Sequence, residues 1–331
     1  TASFLLAGAL LATQAIGAAP ARVGDFALID IAGEFHQLSR YGDKEALVLM
    51  AFDASCGSMQ SQVDQFEALE ATWRDRDIAF GIINATPDAT IDAARSAQAS
   101  FAIELSFMLD SSQLVTRTLG LTKAGEVTVL DPARLSSFYA GGLDSADASI
   151  EAKLSGKDAI AAASLSGCEL SFPSLDAIAA TPPDYATDVA PIVIEQCASC
   201  HREGGIGPFA LDSHLMLQGW SPMIREVLLT KRMPPMQVDP AIGHFDNDRA
   251  LSGDQIEKLI GWIDAGAPRG AAAVDPLAEV QFPDRKAWQL GEPDFIIKAP
   301  AMEIPATGVL DYIDIDVELP FTEDKWVKSV Q

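Results

Sequence analysis

The chain has 331 residues, enough for two or three domains. Hydrophobic residues make up 48% and charged residues 21%, the balance of a chain built on apolar cores and not of a disordered one. Lysine and arginine number 23 against 47 aspartates and glutamates, a formal net charge of −24. That charge argues against nucleic acid, whose phosphates call for a positive face, and against docking to anionic lipid. The four cysteines, Cys56, Cys168, Cys197 and Cys200, are too few for a disulfide scaffold.

The chain opens on a short apolar run, Ala2 to Ile16, followed by Gly17-Ala18-Ala19-Pro20. The run is shorter than the roughly 20 apolar residues of a membrane span and has the form of an export signal with a small-residue cleavage site. Residues 1–20 are therefore expected to be part of a signal peptide. No other stretch is long enough to cross a bilayer, so a periplasmic or secreted protein is expected.

Residues 21–166 alternate short apolar strands with amphipathic segments. Ala46 to Phe52 and Ile78 to Ile83 are continuous apolar runs, as in strands covered on both faces. Between them Val63, Phe66, Leu69 and Trp73 recur at helical spacing. Ser106 to Leu109 and Val127 to Leu130 read as further strands, and residues 145–166 as ending in a helix. Strands alternating with helices predict an α/β sheet. Cys56 lies between the first strand and the helix, where a helix N-terminus lowers a thiol's pKa.

Residues 167–184 carry Pro173, Pro182 and Pro183 without sustained periodicity and read as a linker. Residues 185–270 read as helices joined by Gly- and Pro-rich loops. Within them stands Cys197-Ala198-Ser199-Cys200-His201. Two thiols one helical turn apart can add to the two vinyl groups of one haem, and the adjacent His reaches its iron. A redox dithiol or half a zinc site has a similar look. Zinc is disfavoured because no second Cys/His pair follows, and a redox dithiol because no sheet pattern surrounds the motif. For the opposite face of the iron, Met233 in Lys231-Arg232-Met233-Pro234-Pro235 is the choice, its loop stiffened by two prolines. Met236 and His244 compete with it. Met216 and Met223 read as packing residues and His214 as a surface or hydrogen-bonded histidine. Ser252-Gly253-Asp254-Gln255 is a capping box, and Ile256, Leu259, Ile260 and Ile263 give the following helix one apolar face.

Residues 271–284 form a second linker, and Tyr312, Ile313, Ile315 and Val317 begin to alternate as in β structure.

Three resemblances rest on these residues. Gly24-Asp25-Phe26, the strand–Cys56–helix unit and Glu126 to Asp131 resemble the thioredoxin-like fold in its redoxin and peroxiredoxin branch. The chain departs from it at Met59, where the second active-site Cys would stand, at Gly125 in place of the cis-Pro, and at Asp53 in place of the peroxiredoxin Thr. These departures count against general thiol–disulfide exchange. A Cys56–Cys168 bond is compatible with an oxidising compartment. Residues 184–269 resemble a small class I cytochrome c. That resemblance implies one covalent haem c on Cys197 and Cys200, with His201 and Met233 as axial ligands. Residues 285–331, with Trp288 to Asp294, Ile304 to Gly308 and Thr322 to Val327, resemble the opening of a copper type II, ascorbate-dependent monooxygenase-like domain. No His follows residue 270, so copper is expected only in a domain beyond this chain.

The expected fold is thus multidomain: an α/β thioredoxin-like domain, an all-α mono-haem cytochrome c domain and the start of a β-rich domain. The expected function is exported electron transfer through the haem, with a redox partner or the downstream copper domain as acceptor. The chain itself then serves as an electron-transfer module of a copper-dependent monooxygenase. The alternative is a thiol-dependent peroxidase or disulfide reductase in which Cys56 is catalytic and the haem relays electrons.

Overall fold

In a computed structural model of the chain, the structure describes residues 21–160, 167–235, 245, 248–282, 287–288, 290–298, 300–303 and 313–330. The export-signal segment 1–20 lies outside them. The chain divides into two units, Thr1–Glu279 and Val280–Gln331.

The first unit is organised by one eight-stranded sheet. Its strands are β1 (Ala21–Arg22), β2 (Ala27–Asp30), β3 (Phe35–Gln37), β4 (Ala46–Phe52), β5 (Ile78–Asn84), β6 (Phe107–Leu109), β7 (Val127–Asp131) and β8 (Ser136–Gly141). Their order is β1-β8-β7-β4-β5-β6-β2-β3. β4 pairs parallel with β5 and antiparallel with β7, and β5 pairs parallel with β6. All seven residues of β4 are buried, as its unbroken apolar run requires. Phe52 meets Phe101 and Phe107 edge-on, with ring centroids 5.0 Å apart in each pair. Helix α1 (Met59–Trp73) buries Val63 and Phe66 of the stripe that the sequence periodicity marks, half-buries its Leu69 and Trp73, and buries Met59 besides. α2 (Ile91–Ser100), α3 (Leu114–Thr118) and α4 (Ala146–Leu154) complete this part. The parallel β4–β5 core, the β7–β8 hairpin on its far side and the surrounding helices form the α/β sheet that the alternating pattern predicts.

The predicted strands at 46–52, 78–83, 106–109 and 127–130 are all present within a residue or so at each end. β8 was not foreseen. Its Ser136-Ser137-Phe138-Tyr139-Ala140-Gly141 lacks the apolar run that flags a strand, and it forms by pairing with β7.

The helical part consists of α5 (Pro173–Ala180), α6 (Ala190–Gln196), α7 (His214–Leu229) and α8 (Gly253–Asp264), with a wide turn, Tyr185–Val189, before α6. No strand occurs among the described residues from 185 to 270. The capping box forms as read: Ser252 Oγ accepts from the Gln255 amide at 3.2 Å, and Gln255 Oε1 accepts from the Ser252 amide at 3.0 Å. Trp262 is fully buried and donates from Nε1 to the Pro268 carbonyl at 2.9 Å. His214 is buried, with Nε2 3.0 Å from the Ala267 carbonyl, so it is a hydrogen-bonded core histidine.

Both expected linkers differ from their description. Within 167–184, Pro173 stands at the first turn of α5, where a missing N–H costs nothing. α5 packs on α8 so closely that a Cβ on Gly261 would lie 2.2 Å from Ile178 Cγ2. Arg117 of α3 pairs with Asp176 of α5, joining the α/β and helical parts. Within 271–284, Asp275 accepts from the Tyr185 hydroxyl and, at 2.7 Å, from the His214 amide, and Leu277 is buried. Burial alone raises the Asp275 carboxyl, but these donors and Arg269 hold it below its ordinary value. Contacts of this kind explain why the two parts belong to one unit.

In the second unit the described residues include no helix or strand. Phe295 and Phe321 meet edge-on at 5.2 Å, whereas Trp326, Val327 and Val330 are exposed. The β structure expected to begin here is absent from its described residues; Tyr312 and Ile304 to Gly308 lie outside them.

Candidate functional site

α6 ends at Gln196, and the cysteine pentapeptide continues as tight turns. The amides of Cys197 and Ala198 both donate to the Val193 carbonyl, at 2.9 and 2.8 Å. The amides of Cys200 and His201 both donate to the Cys197 carbonyl, at 3.2 and 3.0 Å. Cys197, Cys200 and His201 are thus brought together on one turn. The two sulfurs are not bonded to each other, and both residues are half-buried. Burial, reinforced by Cys200 beside it, pushes the Cys197 thiol up to about 11. The pair follows the C-terminal end of a helix, where the backbone dipole disfavours a thiolate. A reactive redox dithiol has the opposite setting.

The loop after the motif folds back onto it. The Gly207 amide donates to the Cys200 carbonyl at 2.9 Å, and the Leu211 amide to the His201 carbonyl at 2.8 Å. This return path needs glycine. A Cβ on Gly205 would lie 2.2 Å from the Cys200 carbonyl oxygen, and one on Gly207 2.7 Å from His201 Nδ1. His201 Nδ1 lies 3.1 Å from the Phe209 carbonyl. A carbonyl only accepts, so Nδ1 carries the proton and Nε2 keeps its lone pair. That is the tautomer of a metal-ligating histidine.

Phe209 stacks on Trp220 of α7 with ring centroids 4.1 Å apart, which ties the His201 loop to α7. Met233 comes just after that helix. Its amide donates to the Val227 carbonyl at 3.3 Å, and the residue is 38% exposed. Met236 and His244 lie outside the described residues. The contact of Arg249 with the turn was not foreseen: its Nη1 lies 3.1 Å from Ser199 Oγ and 3.7 Å from Cys200 Sγ. A contact fifty residues apart leaves no local sequence signal. The two thiols, the imidazole nitrogen and the glycine cradle of this turn are chemically compatible with a covalent haem.

Next to Met233, burial lowers the Lys231 ammonium while Asp110 opposes that effect. Asp110 is buried and accepts from the amide and hydroxyl of Thr116, both at 2.7 Å, yet burial raises its carboxyl. Lys231 belongs to the helical part and Asp110 to the sheet part, so these opposite charges attract across the two.

Cys56 occupies the other chemical position. It follows β4 and precedes α1, as expected, and is 3% exposed. It is joined to Cys168 in a disulfide. The thiol considered for a catalytic role is therefore oxidised here. Gly125, in place of the cis-Pro, has φ +82°, and a Cβ there would lie 1.9 Å from Gln62 Oε1. The adjacent Ala124 amide donates to the Cys168 carbonyl at 2.9 Å.

Among the described residues one further group offers metal-ligand atoms within 4.8 Å of one another: Asp30, Glu34 and His36. Asp30 and His36 already pair at 3.1 Å, and Tyr41 holds the other ring nitrogen at 2.6 Å. No described helix is long and apolar enough to cross a membrane.

No family model matches the sequence, and no curated protein matches it. Among solved structures, the chain is similar to a hypothetical protein from Sinorhizobium meliloti at 19% identity, over 48% of this chain and 94% of that one, with a TM-score of 0.40. It is similar to a thioredoxin-family thiol:disulfide interchange protein from Chlorobium tepidum at 15% identity, over 41% and 98%, with a TM-score of 0.35. It is similar to the peroxidoxin BcpB from Mycobacterium tuberculosis at 16% identity, over 41% and 96%, with a TM-score of 0.35.

Proposed function

We propose that the chain is an exported electron-transfer protein that carries one covalent c-type haem in its helical part. The observation that carries this reading is the Cys197-x-x-Cys200-His201 turn, with His201 Nδ1 engaged by the Phe209 carbonyl and Nε2 left for iron. Cys197 and Cys200 would hold the haem through thioethers, and His201 and Met233 would ligate its iron. When bound, the haem supplies a one-electron couple, and a thioether ligand raises its potential. The protein's part is to fix the imidazole, through Phe209 and the Gly207 turn, and to present Met233 from the end of α7. The raised thiol pKa of Cys197 counts against thiol exchange at this pair. The sheet part then serves as the scaffold on which α5 and the Met233 segment rest.

Attachment of this kind follows export, in keeping with the signal-like N-terminal segment and a periplasmic or secreted location. The resemblance of residues 285–331 to the opening of a copper monooxygenase-like domain makes such a domain the proposed acceptor.

The test is production in a host with c-type maturation machinery, followed by mass spectrometry of the denatured protein and spectra of both oxidation states. One covalent haem with sharp reduced bands and a thioether-to-iron band is expected. Met233→Ala should abolish that band and keep the haem attached. A chain that leaves maturation without haem overturns the reading.

A further inference from the structure

We propose that the Cys56–Cys168 disulfide is a second redox site, one that takes two electrons from external thiols, entered at Cys168 and left by Cys56. This goes beyond the haem reading and does not depend on it.

The two sulfurs differ in access. Cys56 is 3% exposed and belongs to the apolar core under β4 and α1, whereas Cys168 is an exposed residue. A thiolate must approach along the sulfur–sulfur axis from behind the atom it attacks. Burial in the core hinders that approach at Cys56, and the exposed Cys168 is the more accessible of the two.

The two sulfurs also differ as leaving groups. Cys56 Sγ lies 3.3 Å from Ser58 Oγ, whose hydroxyl can donate to a developing thiolate. Ser58 is the N-cap of the fifteen-residue α1, yet its side chain makes no capping bond, which leaves the hydroxyl for Cys56. The helix N-terminus favours negative charge at the same place. A leaving thiol of lower pKa departs faster. Access and leaving-group stability therefore select the same direction.

The step balances as follows. An external thiolate bonds to Cys168 Sγ while the disulfide breaks, and the electron pair goes to Cys56 Sγ, which then takes a proton. A second external thiol attacks the mixed disulfide and releases Cys168 as a thiol. Two thiols are oxidised to one disulfide, and the protein disulfide is reduced to two thiols. The reductant is a dithiol protein or a pair of small thiols.

The location gives the reaction a consequence. Cys168 opens the segment that leads into α5. That segment is otherwise held to the sheet part by Ala124 N–H to the Cys168 carbonyl at 2.9 Å and Leu170 N–H to the Thr122 carbonyl at 2.7 Å. Gln113 Nε2 adds a bond to the Ser171 carbonyl at 2.8 Å. Opening the disulfide removes the covalent tie between the sheet and α5 and leaves these bonds and the α3–α5 ion pair.

The experiment uses the full chain, folded, with glutathione as the probe at neutral pH. Samples are quenched in acid, alkylated and mapped by mass spectrometry while circular dichroism follows the fold. The expected early product carries glutathione on Cys168 and the alkyl group on Cys56. Ser58→Ala should slow the opening about tenfold, since a hydrogen bond to the departing charge is lost. A disulfide that opens only in denaturant overturns the proposal, as does an early adduct on Cys56. An unchanged opening rate in Ser58→Ala overturns the leaving-group assignment. Haem content is read separately from the intact mass, so failure of the haem reading leaves this result interpretable.

Discussion

The two cysteine pairs sit at opposite ends of helices, and the contrast separates their chemistry. In the sheet part Cys56 precedes the N-terminus of α1 and lies beside a hydroxyl, a setting that welcomes a thiolate. In the helical part Cys197 follows the C-terminal end of α6, where burial and Cys200 push its thiol up to about 11. Residue type is the same in both. The surroundings, not the residue type, set the difference: a helix N-terminus and a hydroxyl beside Cys56, burial and a second thiol beside Cys197.

The largest expected effect removes the covalent tie. Cys168→Ser opens a loop spanned by 112 residues and should cost about 2–5 kcal/mol in denaturant unfolding. Cys200→Ser in haem-free protein breaks no covalent bond and should cost under about 1 kcal/mol. Equal losses would erase the distinction between the pairs.

Next in size is reactivity. In haem-free protein, a Cys197 pKa near 11 against an ordinary thiol value of 9.0 leaves it about a hundredfold less thiolate near pH 8. Iodoacetamide kinetics on that cysteine should show a deficit of this order against a model thiol. The folded pKa is raised and the group is an acid, so the folded state prefers the neutral thiol. Stability of the haem-free chain should therefore fall as pH rises from about 9 toward 11. An unfolding midpoint independent of pH over that window would contradict the assignment.

The smallest effect concerns the junction between the parts. Gly261→Ala places a methyl 2.2 Å from Ile178 Cγ2 and should cost about 1–3 kcal/mol by forcing α5 off α8. A thermal melt with an unchanged midpoint would show that α5 is loosely seated.

Legibility followed locality. β4 and β5 are visible because a strand buried on both faces needs an unbroken apolar run, and α8 because its cap and stripe lie within twelve residues. The Cys197-x-x-Cys200-His201 turn is visible for the same reason, since all of its donors are neighbours in the chain. β8 was missed because its polar residues become a strand only through their partner β7. α5 was missed because its prolines read as a linker, although Pro173 is well placed to start a helix. The contacts of Arg249 and Phe209 with the motif were missed because they depend on loops that return to it.

Sequence alone therefore determined the alternation of strands and helices, the Cys197-to-His201 turn and the placement of Cys56 between strand and helix. Each is set by hydrogen bonding and side-chain spacing over a few residues. Tertiary structure decided which cysteine meets Cys56, which carbonyl sets the His201 tautomer and that the supposed linker is a helix packed between the two parts. Those outcomes depend on where distant segments come to lie, and that is set by the packing of the whole unit rather than by any local pattern.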